Sequence, residues 1–201
     1  MDKSQLVQDA LQKAVSYNDY FALVTQHMEN ASSTGAEITD AFINYTQLNH
    51  RRMKRWNKTF KLLPEEIIAI ETYQGNVTWL VITESWCGDA AQTMPMMAKI
   101  AETSQGKIDL KVVLRDENLE LMDAFLTNGA RSIAKLIVIN NVTGKVVGEW
   151  GPRPEIATQI VINYKTEHGK LTAAFREDLH KWYTKDKGRN TTAGLLKLLN
   201  L

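Results

Sequence analysis

Apolar positions along the chain follow two different periods, and the change falls near residue 75. Over residues 4–28 they recur at helical spacing, which predicts one long amphipathic helix or two short ones. A polar loop over residues 30–35 follows, and a second helical pattern covers residues 36–60. A proline then opens a shorter helix over residues 65–73. Residues 1–75 are therefore predicted to be an N-terminal helical extension.

After residue 75, short apolar and β-branched runs alternate with helix-favouring segments, which is the pattern of an α/β layer. The predicted strands cover residues 77–83, 108–115, 135–140 and 145–150, and the predicted helices between them cover residues 90–103 and 117–126. The loop at residues 141–144 suits an antiparallel hairpin. The expected fold class is α/β, with a central mixed β-sheet flanked by helices.

The chain beyond the last predicted strand returns to helical spacing. A Gly-Pro-Arg-Pro sequence at residues 151–154 breaks the strand, and a helix follows that Gly169 closes as a C-cap. Two further helices are predicted, the last over residues 195–199. Residues 76–201 are thus expected to form one α/β domain with added C-terminal helices.

Composition narrows the classes of partner. The chain has 201 residues, with 24 basic and 23 acidic side chains, so its overall charge does not favour nucleic acid or an anionic membrane. No apolar run approaches the ~20 residues that span a bilayer, and the amino terminus has no apolar signal region. We expect a cytoplasmic protein with neither nucleic acid nor membrane as partner. A single cysteine agrees with a reducing compartment.

That cysteine is the strongest candidate for chemistry. The sequence TWLVITESWCGDAAQTMP runs from a predicted buried strand, over a short turn, to Cys87 at the first turn of a predicted helix. Unpaired N–H groups and the helix dipole stabilise a thiolate at such a position. We therefore expect Cys87 to be a solvent-accessible nucleophile near neutral pH.

The same residues resemble a known family. Trp86-Cys87-Gly88-Asp89 after a strand, with Pro95 eight residues beyond the cysteine, is similar to the active-site segment of the thioredoxin family, Trp-Cys-Gly-x-Cys. Residues 129–136 resemble the family's Gly-x-Arg-x-Ile-Pro-Thr-Leu loop, and Gly151 matches a family glycine that keeps a substrate groove open. The resemblance implies a thioredoxin-like fold. It also implies a substrate groove at Trp86, Gly88, Asp89, Ser132, Ile133, Ala134 and Gly151.

Three positions depart from the family pattern. Ala90 replaces the second, resolving cysteine, Ala134 replaces a cis-proline, and Val81 replaces a buried carboxylate. Dithiol exchange needs two sulfurs, so this chain cannot complete that cycle alone. The resemblance then leaves monothiol exchange through Cys87, with protein or small-molecule thiols and disulfides as partners. Oxidation of Cys87 to a sulfenic acid, as a sensor, is a further chemical option.

A second reading comes from a different class of function. The fold could serve as a redox-inactive protein-binding module that uses the same groove or the added helices. The apolar faces of the helical extensions could pack on the sheet domain or form a homodimer. Whether the Ile133–Ala134 peptide bond is cis or trans stays open at this point.

Other polar residues give weaker signals. Asp89 could be an acidic residue stabilised by the helix dipole, or a modulator that raises the pKa of the thiol. Arg51, Arg55 and Lys58 would share one helix face, which could bind an anionic partner or simply be solvated. The four histidines have no ligand spacing, so we expect no metal and no cofactor.

Overall fold

The computed structural model describes residues 2–201, which form helices and one β-sheet. The helices are α1 (Lys3–Lys13), α2 (Tyr17–Glu29), α3 (Asp40–Thr59), α4 (Pro64–Thr72), α5 (Gly88–Thr103), α6 (Leu119–Ala124), α7 (Glu155–His168), α8 (Ala173–Asp186) and α9 (Arg189–Leu198). The strands are β1 (Val15–Ser16), β2 (Val77–Thr83), β3 (Ile108–Leu114), β4 (Lys135–Asn140) and β5 (Val146–Trp150). Among these helices, none combines the length and apolar character needed to cross a membrane.

The sheet is mixed, as predicted, with strand order β1-β3-β2-β4-β5. The central strand β2 runs parallel to β3 and antiparallel to β4. All seven of its residues are buried, which explains why its sequence is a continuous apolar run rather than an alternating one. The antiparallel pairing of β4 with β5 confirms the predicted hairpin.

The strand β1 was not predicted. Val15 and Ser16 pair antiparallel with Val112 and Lys111 of β3, and this pairing divides the predicted helix over residues 4–28 into α1 and α2. Ser16 then caps α2, because its side-chain oxygen accepts a hydrogen bond from the Asp19 N–H at 3.1 Å. The two-helix alternative for this region is therefore the one observed.

The first three helices share their hydrophobic core with the sheet. Val7, Tyr20 and Val24 from α1 and α2 are at most 1% exposed, and they belong to the same buried cluster as Trp79 of β2. The longer helix α3 contributes Trp56 to this cluster. The predicted boundary at residue 75 thus separates two patterns of sequence that bury their apolar side chains together.

The C-terminal helices add a second, smaller core. It consists of the buried residues Ala157, Val161, Phe175, Leu179 and Tyr183, from α7 and α8. Gly169 ends α7 with a φ of 74°, as the C-cap prediction requires. The last helix, α9, begins earlier than predicted and packs against α5 and β5. Through Tyr183, this second core reaches the first turn of α5.

Candidate functional site

Cys87 lies at the entrance to α5, as the sequence predicts. The chain leaves β2, turns over Glu84 to Trp86, and the Cys87 N–H donates to the Glu84 carbonyl at 3.0 Å. The Cys87 Sγ is the N-cap acceptor, since the Ala90 N–H donates to it at 3.4 Å. This hydrogen bond starts the helix at Gly88, two residues before the predicted start.

The environment of the sulfur differs from the expected one. Cys87 is only 6% exposed, so its thiol is buried and not open to solvent. Burial, together with the negative charge of Asp89, raises the pKa of Cys87 to about 12, against the opposing effects of the Ala90 N–H and the Arg153 guanidinium. The expectation of an accessible thiolate near neutral pH is wrong, because desolvation outweighs the helix N-terminus.

An ion pair and a tyrosine close the site. Asp89 is 8% exposed, its carboxylate contacts the Arg153 Nη2 at 2.7 Å, and the Tyr183 hydroxyl donates to its Oδ1 at 3.0 Å. These three residues come from α5, the segment after β5, and α8. Asp89 therefore joins three elements, a role that the sequence did not suggest, and as the predicted modulator it raises the pKa of the neighbouring thiol.

At position 88 the neighbouring helix α8 leaves no room for a side chain, which favours glycine there. A Cβ there would lie 2.9 Å from the His180 Cε1 and 3.6 Å from an Arg52 Nη1. The His180 Nδ1 lies 3.2 Å from the Gln92 Nε2, which holds the imidazole against α5. Burial lowers the pKa of His180 to about 3, and the charges of Arg52 and Arg153 add to this effect. The imidazole is thus neutral at physiological pH.

Trp86 is held by α3 and by the loop before it. Its ring stacks on Phe42 with centroids 4.5 Å apart, the Arg115 guanidinium lies 4.8 Å from the ring, and its Nε1 donates to the Thr34 carbonyl at 3.1 Å. Trp86 is half-buried, and its ring contacts an aromatic side chain and a guanidinium. This arrangement fixes the turn that precedes Cys87.

A buried acid supports the same turn. Glu84 has no exposed surface, accepts a hydrogen bond from the Thr34 hydroxyl, and accepts another from the Asp116 N–H at 2.9 Å. Burial raises the pKa of Glu84. Sequence reasoning missed this residue, although a carboxylate directly after a buried strand was a usable signal.

The predicted groove loop is mostly buried as well. Ile133 is 8% exposed, Ala134 has no exposed surface, and the peptide bond between them is cis. A Cβ at Gly151, whose φ is 111°, would collide with the Ala134 carbonyl oxygen. Gly151 thus permits a close approach of two backbone segments. Of the predicted groove residues, Trp86, Gly88, Ser132 and Gly151 are half-buried, and Asp89, Ile133 and Ala134 are buried.

The residues that close the site were not predicted from sequence. Arg153 stands two residues after Gly151, and Tyr183 lies 94 positions from the Asp89 that it contacts. Arg52 was noted only as part of a basic stretch. No local spacing relates these residues to Cys87, because α3, α8 and the segment after β5 meet there only through tertiary packing.

Comparison with known proteins gives a family and a fold. A sequence profile described as thioredoxin matches residues 35–167. Among solved structures, a protein of unknown function from Pseudomonas aeruginosa is similar, with a TM-score of 0.58 and 13% identity over 76% of this chain and 84% of that one. An HIV epitope-scaffold is also similar, with a TM-score of 0.55 and 13% identity over 92% of this chain and 98% of that one. No curated protein matches significantly.

Proposed function

This chain belongs to the thioredoxin family, and we propose that it is a redox-inactive member that acts as a protein-binding module. The burial of Cys87 carries this proposal. A thiol whose pKa is raised to about 12 is protonated at neutral pH, and the thiolate is the form that attacks a disulfide. At pH 7 roughly one Cys87 in 10⁵ would be ionised, against a few per cent of unperturbed thiols.

The absence of a resolving sulfur supports the same conclusion. Ala90 occupies the position of the second cysteine and is 1% exposed, so its methyl group packs where a thiol would be needed. The sequence contains no other cysteine that could take over. A mixed disulfide on Cys87 would therefore need an external thiol to resolve it.

The surface that we assign to a partner lies on α4 and the residue before it. Leu63, Ile67 and Ile68 are 40%, 36% and 62% exposed, and Ile67 also lines a cavity of about 500 Å³ between α4 and α5. Exposed apolar side chains in such a group favour protein contacts. A second copy of this chain is the first partner to test.

Alkylation of the native protein tests the redox part of the proposal. Iodoacetamide at pH 7.5 should modify Cys87 about a thousandfold more slowly in native protein than in urea-unfolded protein, because only the unfolded thiol has an ordinary pKa. The native protein should also fail to reduce insulin disulfides. Similar rates in the two states, or insulin reduction that a Cys87→Ser variant lacks, would contradict the proposal.

Monothiol exchange is the second candidate, and one observation favours it. The Ala90 N–H already donates to the Cys87 Sγ, as it would to a thiolate. Were α8 to move away, Cys87 could attack a small-molecule disulfide, form a mixed disulfide and release one thiolate. Mass spectrometry of purified protein distinguishes the candidates, since a glutathione adduct on Cys87 supports exchange and an unmodified thiol supports the redox-inactive module.

A further inference from the structure

A cleft at the C-terminal end of α3 combines an apolar floor with a basic rim. The cleft has a volume of about 550 Å³ and lies between the C-terminal part of α3, the segment after it, and the turn from α8 to α9. Its lining includes the apolar residues Trp56, Phe60 and Leu63 and the basic residues Arg55, Lys61, Lys187 and Arg189, with no acidic residue.

Most of the basic charge is not neutralised. Within residues 2–201, no carboxylate lies within ion-pair distance of Arg55, Lys61 or Lys187, whereas Arg189 pairs with Glu66 at 2.9 Å. Asp186, the other acid near the turn, accepts the Asn190 N–H at 3.0 Å. Several like charges that share a concave, partly apolar surface raise the local concentration of anions.

The cleft is built by rigid parts of the fold. Trp56 is 6% exposed and its Nε1 donates to the Gln92 Oε1 at 2.6 Å, while the Arg55 guanidinium lies 4.7 Å from its ring. Arg55 also donates to the Thr184 hydroxyl at 3.2 Å, which links α3 to α8. The aromatic floor and one of its cations are therefore positioned before any ligand arrives.

The turn from α8 to α9 brings in two further cations, Lys187 and Arg189. Lys187 and Gly188 have φ angles of 57° and 77°, and a Cβ at Gly188 would lie 2.9 Å from the Phe60 Cε2. Glycine at this position lets the turn contact Phe60 directly. Arg189, the next residue, places its guanidinium 5.3 Å from the Phe60 ring.

We propose that this cleft binds a small organic phosphate with a planar or apolar body, of the size of a mononucleotide. The three cations without an ion pair, Arg55, Lys61 and Lys187, suit a dianionic phosphate better than a single carboxylate, and the guanidinium fork of Arg55 matches phosphate oxygens. The apolar floor would hold the uncharged part of the ligand, and the volume lies in the range of small-molecule sites. The site goes beyond the protein-binding role and does not depend on the state of Cys87.

Nuclear magnetic resonance with the full chain tests the proposal. Adenosine monophosphate should shift the amide signals of residues 55–61 and 184–189. Its affinity should exceed those of adenosine and of inorganic phosphate by about tenfold each, because each of these probes lacks one half of the ligand. Binding should weaken as salt is added.

Two variants test the basic rim. Lys61→Ala and Lys187→Asn, the latter compatible with a left-handed backbone, should each weaken binding by about fivefold. Lys185→Ala, at an exposed lysine of α8 outside the cleft, is the matched control and should bind as the wild type does. Circular dichroism would verify that each variant is folded.

Several results would overturn the proposal. The first is an absence of signal shifts up to about 10 mM adenosine monophosphate, well above a useful affinity. If adenosine monophosphate and inorganic phosphate bound equally tightly, the apolar floor would play no part in binding. If adenosine monophosphate and adenosine bound equally tightly, the cations would play no part. A single-stranded oligonucleotide that binds more tightly with each added nucleotide would indicate a nucleic-acid surface instead.

Discussion

Contacts in the first turn of α5 have opposing effects on the pKa of Cys87, and Asp89 supplies one of them. The helix entrance and the Ala90 N–H favour a thiolate, while burial and the Asp89 carboxylate favour a thiol. Desolvation of a fully buried group can shift a pKa by several units, which is more than one N–H donor contributes. The same sequence motif therefore gives a different chemistry once its surroundings change.

The shifted pKa of Cys87 predicts a pH dependence of stability. The pKa of Cys87 is higher in the folded state than in the unfolded state. The contribution of this thiol to the free energy of unfolding is therefore fully present below about pH 8.5 and is lost as the pH rises toward 12. Between pH 8 and 11 the wild type should lose about 1–3 kcal/mol more unfolding free energy than Cys87→Ser, whose hydroxyl can still cap α5.

Urea titrations at several pH values would measure this difference. Tyr17, Tyr20 and Tyr183 also have raised pKa values, so both proteins should lose stability at high pH. Only the difference between the two proteins reports on the thiol. Parallel curves would show that Cys87 ionises as readily in the folded chain as in the unfolded one.

At the scale of elements, α8 is the part that distinguishes this site from an open one. Through Tyr183 it contacts Asp89, and through His180 it lies against Gly88. Both contacts fall on the first turn of α5, where the resemblance predicts a groove. The added C-terminal helices therefore cover the site as well as extending the chain.

Gly88→Ala tests the contact between α8 and α5. Alanine in place of glycine in a helix usually stabilises a protein by about 0.5–1 kcal/mol. Here the new methyl group would meet the His180 ring, so we expect a loss of about 1 kcal/mol. In a His180→Ala background the loss should disappear, and chemical denaturation of the four proteins in this cycle would measure it. Equal effects in both backgrounds would argue that the two groups do not touch.

Element boundaries show which parts of the fold the sequence determines locally. β2 and β4 begin and end where their apolar runs predict, and the hairpin follows from its short loop. β1 has two residues and forms only because β3 lies beside it, so no local pattern could reveal it. The burial of Cys87 could not be predicted from the sequence for the same reason, since Arg153 and Tyr183 come to this site only through tertiary packing.

At the scale of the whole molecule, the helices before and after the sheet bury most of their apolar residues against the sheet or against one another, but α4 and α7 each leave isoleucines exposed. Hydrophobic patterning predicted the sheet and the position of Cys87, and the resemblance to a family agreed with both. The resemblance predicted no role for the helices that precede and follow the sheet.

The exposed apolar residues of α4 predict self-association. Sedimentation velocity should show a growing dimer fraction as the protein concentration increases, and Ile67→Glu combined with Ile68→Glu should abolish it, because buried carboxylates would lack partners. Ile162→Glu, at a residue of α7 that is 47% exposed, is the control and should leave the dimer intact. A wild type that stays monomeric at every concentration would contradict the homodimer.

The short strand β1 has a consequence for how the chain avoids aggregation. Val15 and Ser16 occupy the outer side of β3, with α1 and α2 also in contact with that strand. A chain without its first sixteen residues would present the free N–H and C=O groups of β3 as a template, onto which strands from other molecules could add. The backbone of these two residues thus helps to prevent β3 from pairing with strands of other molecules.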